Sequence, residues 1–224
     1  MNYRDLGKAV GLDEGLDGYP ERPLKVKIEK RYARALKTRA VDDIIAFLKE
    51  WNRRVKINSG KLRRAILDTS LILEKLGEFN IVSVDFSSSI NIGGQVKTLR
   101  DIILELFRTF SRVSEGRANY TGASKILHVL APTFFVMWDD TIRCAYGCRL
   151  KNADADEKYF KFLVRVQKVA RQAVDSYCDE HGCEVNRAVR KIREQFYENG
   201  FHTFSRIIDI YNFVKFTAGR DELW

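Results

Sequence analysis

Proline occurs only three times in 224 residues, at Pro20, Pro23 and Pro132, so little in the chain bars the backbone from helix. Long apolar runs are missing as well. Uncharged stretches such as 81–84 and 131–138 fall far short of the roughly 20 apolar residues a membrane-spanning helix requires. The first residues, Met1-Asn-Tyr-Arg-Asp-Leu-Gly-Lys, lack the apolar stretch of a secretory signal, so a soluble, cytoplasmic protein is expected. Four cysteines are too few for a disulfide framework in a chain this long. Cys144 and Cys148, four apart, are expected to share one helix face. Cys178, His181 and Cys183 offer thiolate and imidazole ligands of the kind zinc takes, but the spacing matches no standard knuckle and no fourth ligand is near. Buried thiols are therefore expected there, and no metal. Three histidines leave little scope for a Ser-His-Asp hydrolase. The sequence carries no P-loop, no dinucleotide-binding glycine pattern and no two-histidine metal motif, so no cofactor is expected.

What the chain has in excess is positive charge, 39 Lys+Arg against 30 Asp+Glu, and that excess is uneven. Residues 1–65 hold 17 Lys+Arg and 9 Asp+Glu, which leaves the rest of the chain close to neutral. Two clusters make up the segment: Lys25, Lys27, Lys30, Arg31, Arg34, Lys37 and Arg39, then Arg53, Arg54, Lys56, Lys61, Arg63 and Arg64. Clustering of this kind is what a surface facing phosphates needs, and it equally suits a solvated helix face. At 45% hydrophobic residues the chain is too apolar to be disordered.

Apolar spacing predicts helices around Ile44–Trp51, from Leu62 to Leu76, and from about Val96 to Phe110. A short helix is expected over Ala123–Leu130, stopped by Pro132. A compact one begins at Asp139 or Asp140, either of which can serve as its N-cap. A long helix follows from about Asp154 to Cys178, then two more near Glu184–Asn199 and Phe201–Asn212. Residues 81–86 alternate as a short strand would, 87–94 read as an ordered connector, and 1–23 as an irregular segment. The expected fold is a single all-α unit of about nine helices, compatible with two helical lobes. The aromatic residues of the C-terminal part, Phe196, Tyr197, Phe201, His202, Phe204, Tyr211, Phe213 and Phe216, are expected in the core.

The stretch from Thr121 to Gly147 sets a glycine-bearing turn, a lysine in the first turn of a helix, an apolar loop and an acidic helix start in quick succession. This order resembles the signature of the helix-hairpin-helix base-excision DNA glycosylases, and Trp138-Asp-Asp-Thr-Ile-Arg143 is similar to that family's Val-Asp-x-x-Val-Arg element. The resemblance implies a hairpin plus catalytic-loop element over 116–147, with Asp139 as the catalytic carboxylate and Lys125 as the lysine nucleophile. In the family's Gly-x-Gly-x-Lys hairpin the lysine falls where this chain has Ser124. Lys125 stands one residue further on.

These residue types suit the chemistry. Breaking an N-glycosidic bond builds positive charge on the sugar, which a neighbouring carboxylate stabilises. A lysine can attack the sugar only as the neutral amine, which burial near Phe134, Phe135 and Trp138 would favour. The target base must leave the duplex stack and be held by flat side chains, for which Tyr120, Phe134 and Trp138 are the candidates, with His128 on a similar face as Lys125. Amide groups at a helix N-terminus attract phosphate, so Asn119, Thr121, Gly122 and Ser124 are candidate backbone contacts, with Arg117 and Arg143 adding charge. The expected partner is duplex DNA with one flipped nucleotide, bound by a monomer. The rival expectation is a helical module without enzymatic activity that binds nucleic acid or a protein through 25–64.

Overall fold

The scarcity of proline is realised as helix along most of the chain. The computed structural model describes residues 2–15, 22–51, 55–150, 154–196 and 203–218, and among them it forms eleven α-helices and one two-stranded hairpin. The all-α expectation holds at that level. No helix among the described residues is long and apolar enough to cross a membrane.

Helix α1 (Tyr3–Gly15) occupies most of the segment read as irregular, because Tyr3, Leu6 and Ala9 turn one side into the core. Helices α2 (Arg22–Thr38) and α3 (Val41–Trp51) pack together through Tyr32 and Phe47. The single helix expected from Leu62 to Leu76 is two, α4 (Ser59–Asp68) and α5 (Ser70–Gly77). They part at Thr69, whose φ of −111° and ψ of 7° leave the helical range, while its N–H and its hydroxyl both donate to the Ala65 carbonyl, at 3.1 and 2.6 Å. Leu67 and Leu71, which belong to the apolar repeat between Leu62 and Leu76, face solvent at 67% and 65% exposure.

Residues 81–86 form turns rather than a strand. Their carbonyls are taken by side chains: Gln167 donates to Ile81 and Val84 at 2.9 and 2.7 Å, and Arg171 donates to Val82 at 2.7 Å. The expected connector, 87–94, holds the first strand and the turn of a hairpin, β1 (Ser89–Ile92) antiparallel to β2 (Gln95–Thr98). Its two-residue loop, Gly93-Gly94, has positive φ at both positions (58° and 88°), which glycine adopts without strain.

Thr98, with its side chain accepting from Asp101 N–H, caps α6 (Leu99–Ser111). Val96 therefore lies on the hairpin, not in the helix, and is exposed. Helix α7 (Tyr120–Leu130) follows after the connector 112–119, then the loop 131–139, α8 (Asp140–Ala145), α9 (Ala155–His181), α10 (Val185–Phe196) and α11 (Phe204–Asn212). Gly147, with φ of 63°, turns the chain after α8, so Cys148 is buried beyond the helix while Cys144 is exposed on it. They do not share a face. Helix α11 runs on into a π turn, Phe213–Thr217. Buried side chains from α1 to the π turn join one apolar cluster. Within it Phe107 stacks on Tyr159 at 4.3 Å, and Trp138 meets Tyr159 edge-on at 5.0 Å.

Candidate active site

A run of side chains fixes the loop between α7 and α8 at each of residues 135–138. His128 Nδ1 lies 2.7 Å from the Phe135 carbonyl, so that nitrogen carries the proton and donates. Its Nε2 then accepts from the Tyr32 hydroxyl at 2.6 Å. Tyr159 donates to the Val136 carbonyl at 2.9 Å, Asp209 Oδ1 accepts from Met137 N–H at 2.7 Å, and Ser124 Oγ accepts from Trp138 N–H at 3.2 Å. Thr203 and Ser205, at the start of α11, donate to Pro132 and Thr133. Buried backbone groups of a loop need such partners, and here side chains from several different helices supply them.

Asp139 ends this loop. Its Oδ1 accepts from Ile142 N–H at 2.8 Å, which makes it, and not Asp140, the N-cap of α8. Its Oδ2 accepts from the Thr217 hydroxyl at 2.9 Å. Thr217 is brought there by the π turn, in which Ala218 N–H donates to the Phe213 carbonyl at 2.8 Å, an i to i+5 bond. Phe213 and Thr217 thereby sit one turn apart on one side of the helix. Such π turns recur at functional sites.

Lys125 and Asp139 line one cavity of about 340 Å³, together with Trp51, Asp209, Phe213 and Thr217. Lys125 is buried, with its Nζ 3.7 Å from the centre of the Trp51 ring. Burial pushes its pKa down to about 7, with Arg206 acting in the same direction and the Asp139 and Asp209 carboxyl groups opposing it. Burial thus favours the neutral amine anticipated for this residue, while the Trp51 ring beneath Nζ favours the ammonium; Trp138 lines the same cavity, and Phe134 and Phe135 do not.

The one-residue offset between Ser124 and Lys125 corresponds to about 100° around a helix. Ser124 points into the protein, fully buried, with its hydroxyl donating to the Thr121 carbonyl at 2.9 Å. Lys125 points into the cavity. Ser124 therefore ties α7 to the loop and offers nothing to a phosphate. Gly122 is buried as well, and its N–H is already given to Asn119 Oδ1 at 2.7 Å. A Cβ there would meet the Asn119 amide nitrogen at 2.5 Å, so glycine is required by the cap. Of the expected backbone contacts, Asn119 and Thr121 are half-buried and Arg117 is exposed. Arg143 pairs with Asp140 at 2.8 Å.

The expected base-stacking set also needs correction. Phe134 is fully buried among Phe79, Phe86 and Phe135. Trp138 is 1% exposed, and its indole N–H donates to the Tyr120 carbonyl at 3.1 Å. Tyr120, half-buried, stacks on Phe107. His128 is fully buried and holds the loop. Trp138 nevertheless lines the cavity, and the aromatic residues that join it there are Trp51 and Phe213, with ring centres 6.4 Å apart and planes at 78°. Apolar spacing had placed both in ordinary helix faces, and no local pattern distinguishes them from core. Tyr197, Phe201 and His202 lie outside the described residues, as do Arg53 and Arg54.

Among the described residues no group of three or more His, Cys, Asp or Glu is placed to hold a metal ion. His181 Nε2 lies 3.3 Å from the Tyr3 hydroxyl, while Cys178 and Cys183 are half-buried free thiols.

The basic segment divides. Lys27 and Arg31 pair with Glu50, Arg34 with Asp43, and Arg64 with Asp68. Lys56, Lys61 and Arg63 are exposed. Backbone hydrogen bonds bring this group to the connector before α7: Asn58 N–H donates to Val113 and Glu115 N–H donates to Lys56, both at 2.9 Å. Lys56 thus neighbours the connector that carries the exposed Arg112 and Arg117. Arg112, between Arg108 and Arg117 in the sequence, belongs to neither of the two basic clusters.

Comparison with protein-family models, with curated proteins and with solved structures finds no match to this chain.

Proposed function

We propose that this protein is a DNA glycosylase that accepts a flipped, modified or damaged base and cleaves its N-glycosidic bond, with Lys125 giving it abasic-site lyase activity. The observation that carries the reading is a buried lysine with its pKa pushed down to about 7 in the same cavity as a carboxylate held by Ile142 N–H and Thr217. Elsewhere in a protein, burying a lysine only costs stability. Beside an electrophile it provides a neutral amine at physiological pH.

In this mechanism the carboxylate of Asp139 stabilises the positive charge that develops on the deoxyribose and takes a proton from the attacking Lys125 amine. The resulting adduct opens to a Schiff base, and strand cleavage follows. In this reading the hairpin that the resemblance implies within 116–147 would fall on the connector before α7 and the start of that helix, with Arg112, Arg117 and Lys56 facing phosphates. Trp51 and Phe213 hold the extruded base. DNA is the partner.

The test is incubation with duplexes that each carry one lesion, with and without borohydride. Base release with a trapped protein–DNA adduct is expected. Asp139→Asn should abolish release while leaving DNA affinity nearly unchanged, and Lys125→Ala should abolish the adduct. Failure to release any base would leave the rival reading, a nucleic-acid-binding module.

A further inference from the structure

We propose that Asp209 is the acid that protonates the departing base, and that the substrates are therefore uncharged nucleobases, which leave as anions unless a proton arrives as the bond breaks. This inference rests on the glycosylase reading and deepens it.

Asp209 lies on α11, is 4% exposed, and lines the cavity shared by Lys125 and Asp139. Its two oxygens differ. Oδ1 accepts from Met137 N–H at 2.7 Å, whereas Oδ2 is buried without a hydrogen-bond partner. His128 Nδ1 stands 3.6 Å from Oδ2, beyond hydrogen-bond reach, and its proton is directed to the Phe135 carbonyl. An unpaired carboxylate oxygen in an interior is costly, and a carboxylic acid is the form that tolerates the position. Burial indeed pushes the Asp209 pKa well above the usual carboxylate range, while Arg206, Met137 N–H and Lys125 oppose the rise. An asparagine would accept from Met137 N–H equally well, so anchoring the loop does not explain an acid here. What an acid adds is a transferable proton on a residue that lines the cavity, and an acceptor on a bound base that reaches Oδ2 would satisfy it.

The step balances. As the C1′–N bond breaks, its electron pair passes to the base, and the Oδ2 proton moves to a ring nitrogen or carbonyl oxygen of that base. Asp209 is left as a carboxylate, stabilised by the positive charge of Arg206. At the sugar the Lys125 lone pair forms the new bond to C1′, and one amine proton passes to Asp139. A base that is already cationic, such as 7-methylguanine, leaves as a neutral molecule and gains nothing from this acid.

Single-turnover release from duplexes bearing uracil, hypoxanthine or 8-oxoguanine is to be compared with release from duplexes bearing 7-methylguanine or 3-methyladenine. Asp209→Asn keeps an oxygen for Met137 N–H. It is expected to slow release of the uncharged bases at least about a hundredfold, in the range of general acid catalysis, and of the cationic bases less than about tenfold. Equal losses on both groups overturn the acid role, while release by the unaltered protein keeps the glycosylase reading intact. If a melting curve shows that Asp209→Asn does not fold, the unaltered protein decides. A shallow dependence of its rate on the leaving-group acidity of uncharged bases supports the acid. A steep dependence, or release of cationic bases alone, overturns it. Release of no base by the unaltered protein overturns both readings.

Discussion

Lys125 is where burial and chemistry conflict most openly. Its pKa is about 7 in the folded protein against an ordinary 10.5, so between those values the unfolded chain binds the extra proton. Stability from this group is then fully present above pH 10.5 and lost as pH falls towards 7, at ~1.4 kcal/mol per pH unit. Lys125→Met should remove that dependence and raise stability at pH 7 by on the order of a few kcal/mol, while eliminating the borohydride adduct. Urea titrations at pH 7 and pH 9 check the first statement and trapping checks the second. For the unaltered protein, adduct formation should rise with an apparent pKa near 7. A rise centred near 10 would mean that the reacting amine is a solvated lysine on the surface.

Among the elements, the π turn has the clearest consequence. The i to i+5 bond from Ala218 to Phe213 places an aromatic wall and the hydroxyl that donates to Asp139 on one side of the cavity. Thr217→Val keeps the shape and removes the donor. Base release should fall roughly tenfold, the effect of losing a hydrogen bond of about 1.5 kcal/mol to a charged group. Thermal unfolding should show stability changed by no more than about 1 kcal/mol, the ordinary worth of one hydrogen bond. Equal release by both forms would show that Thr217 merely decorates the helix end. Helix α7 behaves in a related way: neighbours in sequence, Ser124 and Lys125, serve the interior and the cavity respectively, because a helix turns about 100° between them.

Across the molecule as a whole, the proposed binding of DNA would be governed by electrostatics. Lys56, Lys61 and Arg63 are exposed, while Lys27, Arg31, Arg34 and Arg64 pair with acids on the protein itself. Replacing Lys56, Lys61 and Arg63 by Glu should weaken duplex binding and flatten its salt dependence, by about 0.9 in the logarithmic slope for each phosphate that is no longer neutralised. Anisotropy titrations across a salt series measure both, and an unchanged slope would assign these residues to plain solvation. Their proximity to Arg112 and Arg117 depends on backbone bonds between residues 56–58 and 113–115, which join segments more than fifty positions apart in the sequence.

Much of this was legible in the chain itself. Helical class, the long α9 and the cap at 139–140 follow from spacing and side-chain type, since caps and apolar faces are local properties, whereas the pairing of Lys125 with Asp139 rests on the resemblance to the helix-hairpin-helix glycosylases. The break at Thr69 was not legible, because threonine is tolerated within helices and nothing in the apolar repeat marks this one as leaving the helical range. Trp51 and Phe213 were hidden for a similar reason: they carry the same apolar signal as Phe134, and only packing separates a residue that lines a cavity from one that lies in the core. The sequence by itself determined which segments are helical and which residue types stand at their ends. Tertiary structure alone decided which acid is buried with one oxygen unpaired, which amine loses its charge and which rings enclose them, because desolvation and hydrogen bonding are set by groups that meet only once the chain has folded.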